Sequence, residues 1–211
     1  MPHVLPLPSL PAAGPLSAPD AALRAMFAAR KAVFVDLLKW DVPVLAGRYE
    51  IDQFDDPNAR YLILAEADGG HLGSARLLPT VNPHILDSLY PHLCEDGPPR
   101  ATDILEITRF CLDRRLQAAE RRAVRDTLVA WLVDYALDHG ISAYSAIAEM
   151  SWFHQILTFG WHCRPLGLPQ RIGSSVLVAL RIDITADTPG LLAAAGIQRQ
   201  GSTRGRHWIV A

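Results

Sequence analysis

The segment DILEITRFCLD, residues 103–113, most narrows the folds open to this chain. Its residues follow the period of two that is typical of a β-strand. Strict alternation places on one face Ile104, Glu106, Thr108 and Phe110, and on the other Leu105, Ile107, Arg109 and Cys111. A strand this apolar is expected at the centre of a sheet, where a carboxylate is costly unless it is paired or functional. Glu106 is therefore the first candidate site residue.

The segments around this strand carry further helix and strand patterns. Helices are predicted from Asp20 to about Trp40 and over 118–140, 151–159 and 188–196. Strands are predicted as a hairpin within 59–80 and singly at 141–148 and 174–184, and a long ordered loop with a short helix near 84–90 fills 81–103. The pattern predicts an α/β fold, a three-layer α/β/α sandwich with a mixed central sheet.

The two ends of the chain differ in composition from this predicted domain, which spans residues 20–196. Residues 1–19 hold six prolines and no Lys or Arg, so we predict an irregular Pro-rich arm rather than a signal peptide. Residues 197–211 are predicted to form a basic tail that is mobile or packs late.

Composition excludes several classes of protein. A net charge of −2 gives no case for a nucleic-acid partner, and no apolar run approaches the ~20 residues of a membrane span. The three cysteines are widely spaced, which predicts neither a disulfide framework nor a zinc site. A cytoplasmic protein of 211 residues with one sizeable core is the simplest expectation.

A set of charged residues lies on or beside the first three strands, and its acidic part is the segment YEIDQFDD. The set comprises Glu50, Asp52, Asp55, Arg76, Glu106 and Arg109, with Arg30 on the apolar stripe of the first helix. Arg30 either snorkels at the edge of that stripe or is held inside a cleft by a carboxylate. The acidic segment is either a solvated loop or one wall of such a cleft. It lacks the glycine and glutamate positions of an EF-hand loop, so no metal site is predicted.

In order and spacing, the segments FAARKAVFVDLLKW, YEIDQFDDPNARYL, GSARLLPT and EITRF resemble the acyl-homoserine-lactone synthases of the LuxI type, the autoinducer synthases of quorum sensing. The resemblance covers about residues 24–185. The positions that match the family's signature are Arg30, Phe34, Trp40, Glu50, Asp52, Asp55, Arg76, Glu106 and Arg109. Two mild departures are EITRF, where the family often has ELSRF, and Tyr90-Pro91, where it often has Phe-Pro.

The resemblance implies a fold similar to that of the GCN5-related N-acetyltransferases and a reaction between two substrates. The amine of S-adenosylmethionine (SAM) attacks an acyl thioester carried by acyl carrier protein or coenzyme A (CoA). The SAM carboxylate then closes the lactone and methylthioadenosine leaves. No cofactor is implied, because SAM and the thioester are both substrates. We expect a monomer or weak dimer.

The resemblance also implies roles for the charged set. SAM carries cations, a carboxylate and an adenine, which call for carboxylates, arginines and aromatic surface. The SAM-binding residues are predicted to be Arg30, Phe34, Trp40, Asp52, Asp55, Arg76 and Arg109. Glu106 is the predicted base, with Glu50 as the alternative. A β-bulge is predicted near Thr108, because it would let Glu106 and Arg109 face one cleft and free backbone N–H groups for an oxyanion.

Two further sets of residues are assigned by family position. The predicted acyl pocket comprises Leu105, Ile107, Tyr144, Ala146, Met150, Trp152, Phe153, Ile156 and Leu157. Ala146 stands where some members have a threonine that favours 3-oxo groups. We therefore expect an unsubstituted, short, branched or aryl acyl group, with CoA as a possible carrier. The predicted site for docking the acyl carrier comprises Arg114, Arg115, Arg121, Arg122 and Arg125, which could instead form a solvated basic face.

Two other functions fit the same scaffold. An N-acetyltransferase would place a Gly-containing turn before the helix at 118–140, to cradle the CoA pyrophosphate, and LDRRLQAAERRAVRD contains no glycine. A non-catalytic acyl or nucleoside sensor should have lost some of the charged set, which is intact.

Overall fold

A computed structural model of the protein describes residues 18–197 and 207–210. Its helices are α1 (Ala18–Arg30), continued by a π-helix at Lys31–Leu37, α2 (Ile85–Ser88), a 3₁₀ turn at Pro91–Leu93, α3 (Ala118–Asp138), α4 (Met150–Leu157) and α5 (Thr188–Ala194). None of the helices in these two ranges is both long and apolar enough to cross a membrane.

The strands form one large mixed sheet and a small hairpin. They are β1 (Val44–Leu45), β2 (Tyr49–Glu50), β3 (Arg60–Ala65), β4 (His71–Pro79), β5 (Ile104–Leu112), β6 (Ala143–Glu149), β7 (His162–Pro165), β8 (Gln170–Ile172), β9 (Ser175–Asp183) and β10 (His207–Val210). The sheet runs in the order β10-β3-β4-β5-β6-β9-β7, with β8 also paired to β9, while β1 and β2 pair with each other. The β5–β6 pair is parallel and the other described pairs are antiparallel.

Helices cover both faces of the sheet because alternate residues of each strand point to opposite sides. On β3, Leu62 packs in the core cluster that includes Leu128 and Leu132 of α3. Its neighbour Ile63 packs instead with Met26 of α1. These two clusters make the three layers of the predicted α/β/α sandwich, which is confirmed.

The central strands β5 and β6 separate after a short paired stretch. Their parallel register runs from Ile104↔Ala143 to Ile107↔Ala146, although both strands continue beyond it. A bulge lies on the other edge of β5, where Ser74 pairs with Cys111 and Arg76 with Thr108. Two steps along β4 thus match three along β5, which confirms the bulge predicted near Thr108.

The bulge corrects the strict alternation that the sequence predicts for this strand. Arg109 has φ +49°, in the left-handed region that non-glycine residues seldom occupy. The side chains beyond Thr108 therefore change sides relative to a regular strand, and Arg109 turns toward the acidic segment. Backbone strain of this kind concentrates at functional sites.

Several element boundaries differ from those predicted. The first helix begins at Ala18 and continues in π-helical geometry from Lys31 to Leu37, so the helical segment ends three residues before the predicted Trp40. The short strands β1, β2, β7 and β8 were missed, because their runs of two to four residues are too brief for a periodicity signal. Within the tail predicted at 197–211, His207–Val210 pairs with β3. The arm predicted at 1–19 lies outside the described residues except for Ala18 and Pro19, the first two residues of α1.

Gly167 lies where the loop between β7 and β8 meets the segment before β5. A Cβ at Gly167 would lie 2.5 Å from the carbonyl oxygen of Leu93, which is backbone and cannot move aside cheaply. We expect Gly167→Ala to lower the free energy of unfolding by about 1–3 kcal/mol, measured by urea denaturation. The control is Gly190→Ala in α5, where a Cβ meets nothing and should stabilise by about 0.5–1 kcal/mol. A Gly167→Ala midpoint at or above the wild-type value would contradict the expected clash.

Candidate active site

The acidic segment after β2 is a braced turn rather than a solvated loop. The Asp52 N–H donates to Asp55 Oδ2 at 2.8 Å, and the Phe54 N–H donates to Asp52 Oδ1 at 2.9 Å. Phe54 is 6% exposed and packs in the cluster beneath α1. The phenyl ring therefore anchors the turn while its carboxylates point to the charged residues of neighbouring strands.

Arg30, the last residue of α1, is buried and fully paired. Its Nε donates to Glu50 Oε2 at 2.5 Å, and its two terminal nitrogens bind both oxygens of Asp55 at 2.7 and 2.8 Å. At 1% exposure the guanidinium does not snorkel. The alternative left open by the sequence is thus decided in favour of a charge held inside by carboxylates.

Arg76 on β4 and Arg109 on β5 complete the pairing. Arg76 binds both oxygens of Asp52 at 2.6 and 3.0 Å, and its Nε donates to Thr108 Oγ1 at 2.9 Å. Arg109 Nη2 donates to Glu50 Oε1 at 2.9 Å and to Asp52 Oδ2 at 2.7 Å. Three arginines and three carboxylates therefore form one neutral unit, the arginine–carboxylate network, made of Arg30, Arg76, Arg109, Glu50, Asp52 and Asp55.

The network controls the ionisation of its own members. Burial acts to raise the pKa of Asp55, but Arg30 and Arg76 outweigh it and hold that pKa well below its ordinary value. Burial likewise opposes the charge of Arg30, yet Asp55 and Glu50 raise the pKa of its guanidinium. Asp55 and Arg30 therefore stay charged at neutral pH. Most of the oxygens and nitrogens of the network are already bonded to one another.

An aromatic stack borders the network at the end of the π-helix. The rings of Phe34 and Trp40 lie 4.7 Å apart and nearly parallel, with an interplanar angle of 15°. The Arg109 guanidinium carbon is 5.6 Å from the centre of the Phe34 ring and 5.7 Å from that of Trp40. Trp40 is 39% exposed, so one flat apolar surface faces solvent beside a cation.

Glu106 lies at the centre of the sheet, buried to 0% exposure. The backbone N–H groups of Ile85 and Leu86, which open α2, donate to its two oxygens at 2.8 and 2.9 Å. Burial raises the pKa of Glu106 to about 7, against the opposing effect of these hydrogen bonds. A carboxylate near half-ionisation at neutral pH is suited to accept and return a proton.

Among residues 18–197 and 207–210, two cavities open where β5 and β6 separate. The larger, of about 820 Å³, is lined by Arg109, Arg121, Arg122 and Arg125 but by only one carboxylate, Glu149, and is called here the basic cavity. The smaller, of about 500 Å³, is lined by Asp41, Asp52, Glu106 and Glu149 but by only one cation, Arg109, and is called the acidic cavity. Seven residues line both: Trp40, Ile107, Thr108, Arg109, Ile147, Ala148 and Glu149.

The residues predicted for an acyl pocket divide into two groups. Ile107, Ala146, Trp152 and Ile156 line the basic cavity. Those that do not line it are Leu105, Tyr144, Met150, Phe153 and Leu157. Tyr144 instead donates its hydroxyl to the Leu132 carbonyl, and Leu157 is 43% exposed. The cavity also contains aromatic residues that the sequence did not single out, Phe159 and Trp161.

The five arginines predicted as a docking site also divide. Arg121, Arg122 and Arg125 line the basic cavity, whereas Arg114 and Arg115 do not. Arg115 is largely exposed and pairs with Asp113 at 2.8 Å. The separation follows from the chain path, because Arg114 and Arg115 precede α3 and the other three lie on it.

Of the two predicted bases, Glu106 lines the acidic cavity and Glu50 lines neither cavity. Glu149 lines both and was missed, although its place at the end of a predicted strand was a usable signal. Within residues 18–197 and 207–210, no three His, Cys, Asp or Glu side chains are grouped so that they could hold a metal ion.

Comparison with known proteins gives one consistent family. Residues 17–189 match the family described as autoinducer synthase. An acyl-homoserine-lactone synthase of Agrobacterium fabrum is 30% identical over 165 residues, 76% of this chain and 78% of the relative. The isovaleryl-homoserine lactone synthase of Bradyrhizobium diazoefficiens is 31% identical over 172 residues, 79% and 74% of the two chains.

Solved structures agree with the sequence matches. A CoA-dependent acyl-homoserine lactone synthase, BjaI, with SAM and isopentyl-CoA superposes with a TM-score of 0.76 at 29% identity, covering 89% of this chain and 92% of that one. A structure assigned as an N-acetyltransferase of Lactobacillus plantarum has a TM-score of 0.52 at 18% identity, covering 80% of this chain and 95% of that one. The latter likeness concerns the fold alone.

The network predicts how stability depends on Asp55. We expect Asp55→Asn to lower the free energy of unfolding at pH 7 by about 3–5 kcal/mol, because Arg30 and Arg76 lose a buried partner. Because the folded pKa of Asp55 is depressed, its contribution is present above the ordinary value of 3.8 and is lost as the pH falls through the lower folded value. The two proteins should therefore begin to converge in stability below about pH 4, and the difference should keep shrinking as the pH falls further, in a urea denaturation series.

The control for this prediction is Asp36→Asn, which breaks the exposed pair of Asp36 with Lys31. It should leave the unfolding midpoint unchanged, since exposed ion pairs contribute little. Equal effects of the two substitutions at pH 7 would show that the buried network does not stabilise the fold.

Proposed function

The chain belongs to the autoinducer synthase family, and from this premise we infer that it is an acyl-homoserine-lactone synthase. Such an enzyme acylates the amine of SAM from an acyl thioester, closes the lactone and releases methylthioadenosine. The activity is that of an acyltransferase that makes a quorum-sensing signal. The shared fold gives no separate support to the acetyltransferase or sensor alternatives.

One observation carries this proposal: two cavities of opposite charge meet at the separated ends of β5 and β6. SAM carries an ammonium, a sulfonium and a carboxylate, a net charge of one positive, which suits the acidic cavity. An acyl donor carries an apolar chain and phosphates, which suit the basic cavity. Their reacting atoms would meet at the shared residues, where Arg109 can stabilise developing negative charge.

The predicted SAM-binding residues take two roles in this proposal. Trp40, Asp52 and Arg109 line the acidic cavity and are placed to contact SAM. Phe34 backs the Trp40 ring. The deeper members of the network, Arg30, Asp55 and Arg76, line neither cavity and hold Asp52 and Arg109 in position. This division fits their burial, since a ligand cannot reach them without breaking the network.

Glu106 is the proposed base for the acylation step. Each of its oxygens accepts one backbone N–H and keeps a second lone pair, and it lines the acidic cavity where the amine would lie. Its pKa of about 7 is close to that of an α-amine, near ~8, so proton transfer is nearly balanced. Glu50 is a poorer candidate, because Arg30 and Arg109 occupy both of its oxygens.

The acyl group and its carrier are proposed from the basic cavity. Its apolar wall carries Trp152, Phe159 and Trp161, whose rings shorten the space available to a chain, and Ala146 offers no hydroxyl to a 3-oxo group. We propose a short, branched or aryl acyl group delivered by CoA, with Arg121 and Arg122 near its phosphates. The isovaleryl and CoA-dependent relatives support this choice.

The test is an assay of purified protein with SAM and a panel of donors. The panel pairs isovaleryl, aryl and long 3-oxo acyl groups with CoA, with acyl carrier protein, and with N-acetylcysteamine, which lacks phosphates. We expect methylthioadenosine release and a short, branched or aryl lactone by mass spectrometry, fastest with CoA. A long 3-oxo product would contradict the acyl proposal, and no release with any donor would contradict the activity.

The role of Glu106 is tested by its pH profile. In the wild type, kcat/KM should rise with pH through about 7 as Glu106 ionises. Glu106→Gln should lower kcat roughly 10²- to 10⁴-fold and remove that inflection. Glu95→Gln, an exposed carboxylate that lines neither cavity, is the control and should behave as wild type. Normal turnover by Glu106→Gln at pH 7 would rule out this base.

A further inference from the structure

Glu149 occupies an unusual position at the junction of the two cavities. It is the last residue of β6, beyond the point where β6 leaves β5. Among the described residues that line the cavities, it is the one carboxylate shared by both, as Arg109 is the one shared cation. The reacting groups of two substrates bound in the two cavities would therefore lie between the carboxylate of Glu149 and the guanidinium of Arg109.

The carboxylate of Glu149, which is exposed, accepts a hydrogen bond but makes no ion pair within residues 18–197 and 207–210. The Ser175 hydroxyl donates to its Oε1 at 2.5 Å, and Ser175 itself lines the acidic cavity. Glu149 stands at the N-cap position of α4, yet its side chain makes no capping hydrogen bond there. The side chain is thus turned toward the acidic cavity instead of serving the helix that follows it.

The other carboxylates of the acidic cavity differ from Glu149 in their contacts or in the cavity that they line. Asp52 gives its oxygens to Arg76 and Arg109. Glu106, the proposed base, lines the acidic cavity but not the basic one. Asp41 lines the acidic cavity but not the basic one, although it follows Trp40, which lines both.

We propose that Glu149, held by Ser175, binds the α-ammonium group of SAM, and that Arg109 across the junction faces the α-carboxylate. This inference rests on the proposed function and adds a substrate-binding residue to it. The amine is the atom of SAM that must meet the thioester, so its partner should border both cavities. A zwitterionic amino-acid end is matched by one anion and one cation on opposite sides.

The test is equilibrium binding by calorimetry without an acyl donor, using three ligands. SAM has the amino-acid end, dimethylsulfonio-adenosine keeps only the sulfonium, and methylthioadenosine has neither. Glu149→Gln should weaken SAM roughly ten- to hundredfold, as expected for loss of a charged hydrogen bond, and leave the other two ligands unchanged. Glu149→Asp should retain part of the SAM affinity, and Ser175→Ala should weaken SAM by less than Glu149→Gln.

Each other outcome overturns the inference. Equal weakening of all three ligands would mean that Glu149 only shapes the cavity or the fold. Weakening of dimethylsulfonio-adenosine together with SAM would assign Glu149 to the sulfonium. No change would remove it from the site, with Glu95→Gln again as the control. Failure of the proposed function is distinguishable, because the wild type itself would then fail to bind SAM or to release methylthioadenosine.

Discussion

The arginine–carboxylate network is the interaction on which the rest of the structure depends. Arg30, Arg76, Glu50 and Asp55 are buried and Arg109 and Asp52 are partly buried, which is tolerable only when each charge is paired with good geometry. The chain meets this condition with partners drawn from α1, the turn after β2, β4 and β5. Four segments distant in sequence are thereby fixed relative to one another. The irregular parts of the fold, such as the turn after β2 and the bulge in β5, bring the charges together.

The bulge in β5 is the clearest of these irregular pieces. A regular strand would turn Arg109 away from the face that Glu106 occupies, because successive side chains alternate. The extra residue and the left-handed conformation of Arg109 bring its guanidinium to Glu50 and Asp52. Past the same point β6 no longer pairs with β5. The bulge that completes the network therefore lies next to the place where the two cavities open.

How far the sequence predicts this arrangement depends on the range of the interaction. The hairpin at 59–80 and the long helix follow from local periodicity. The charged set was identified beside the predicted strands, and the roles of its members followed from a family resemblance. The pairing of Arg30 with a carboxylate could be stated only as one of two alternatives, because a sequence pattern does not show which side chains are near. Strand β10 was missed for a similar reason, since its partner β3 lies more than a hundred residues earlier.

The neutrality of the network has a consequence for recognition. Because its six charges cancel, the network itself offers little net field to a cationic or anionic substrate. The discrimination must come from residues that lie outside it, namely Asp41, Glu106 and Glu149 of the acidic cavity and the α3 arginines of the basic cavity. Arg109 belongs to the network and also lines both cavities. Its guanidinium also lies over the Phe34–Trp40 stack. The network thus fixes the position of Arg109, while the residues that line the two cavities around it select the substrate groups that it contacts.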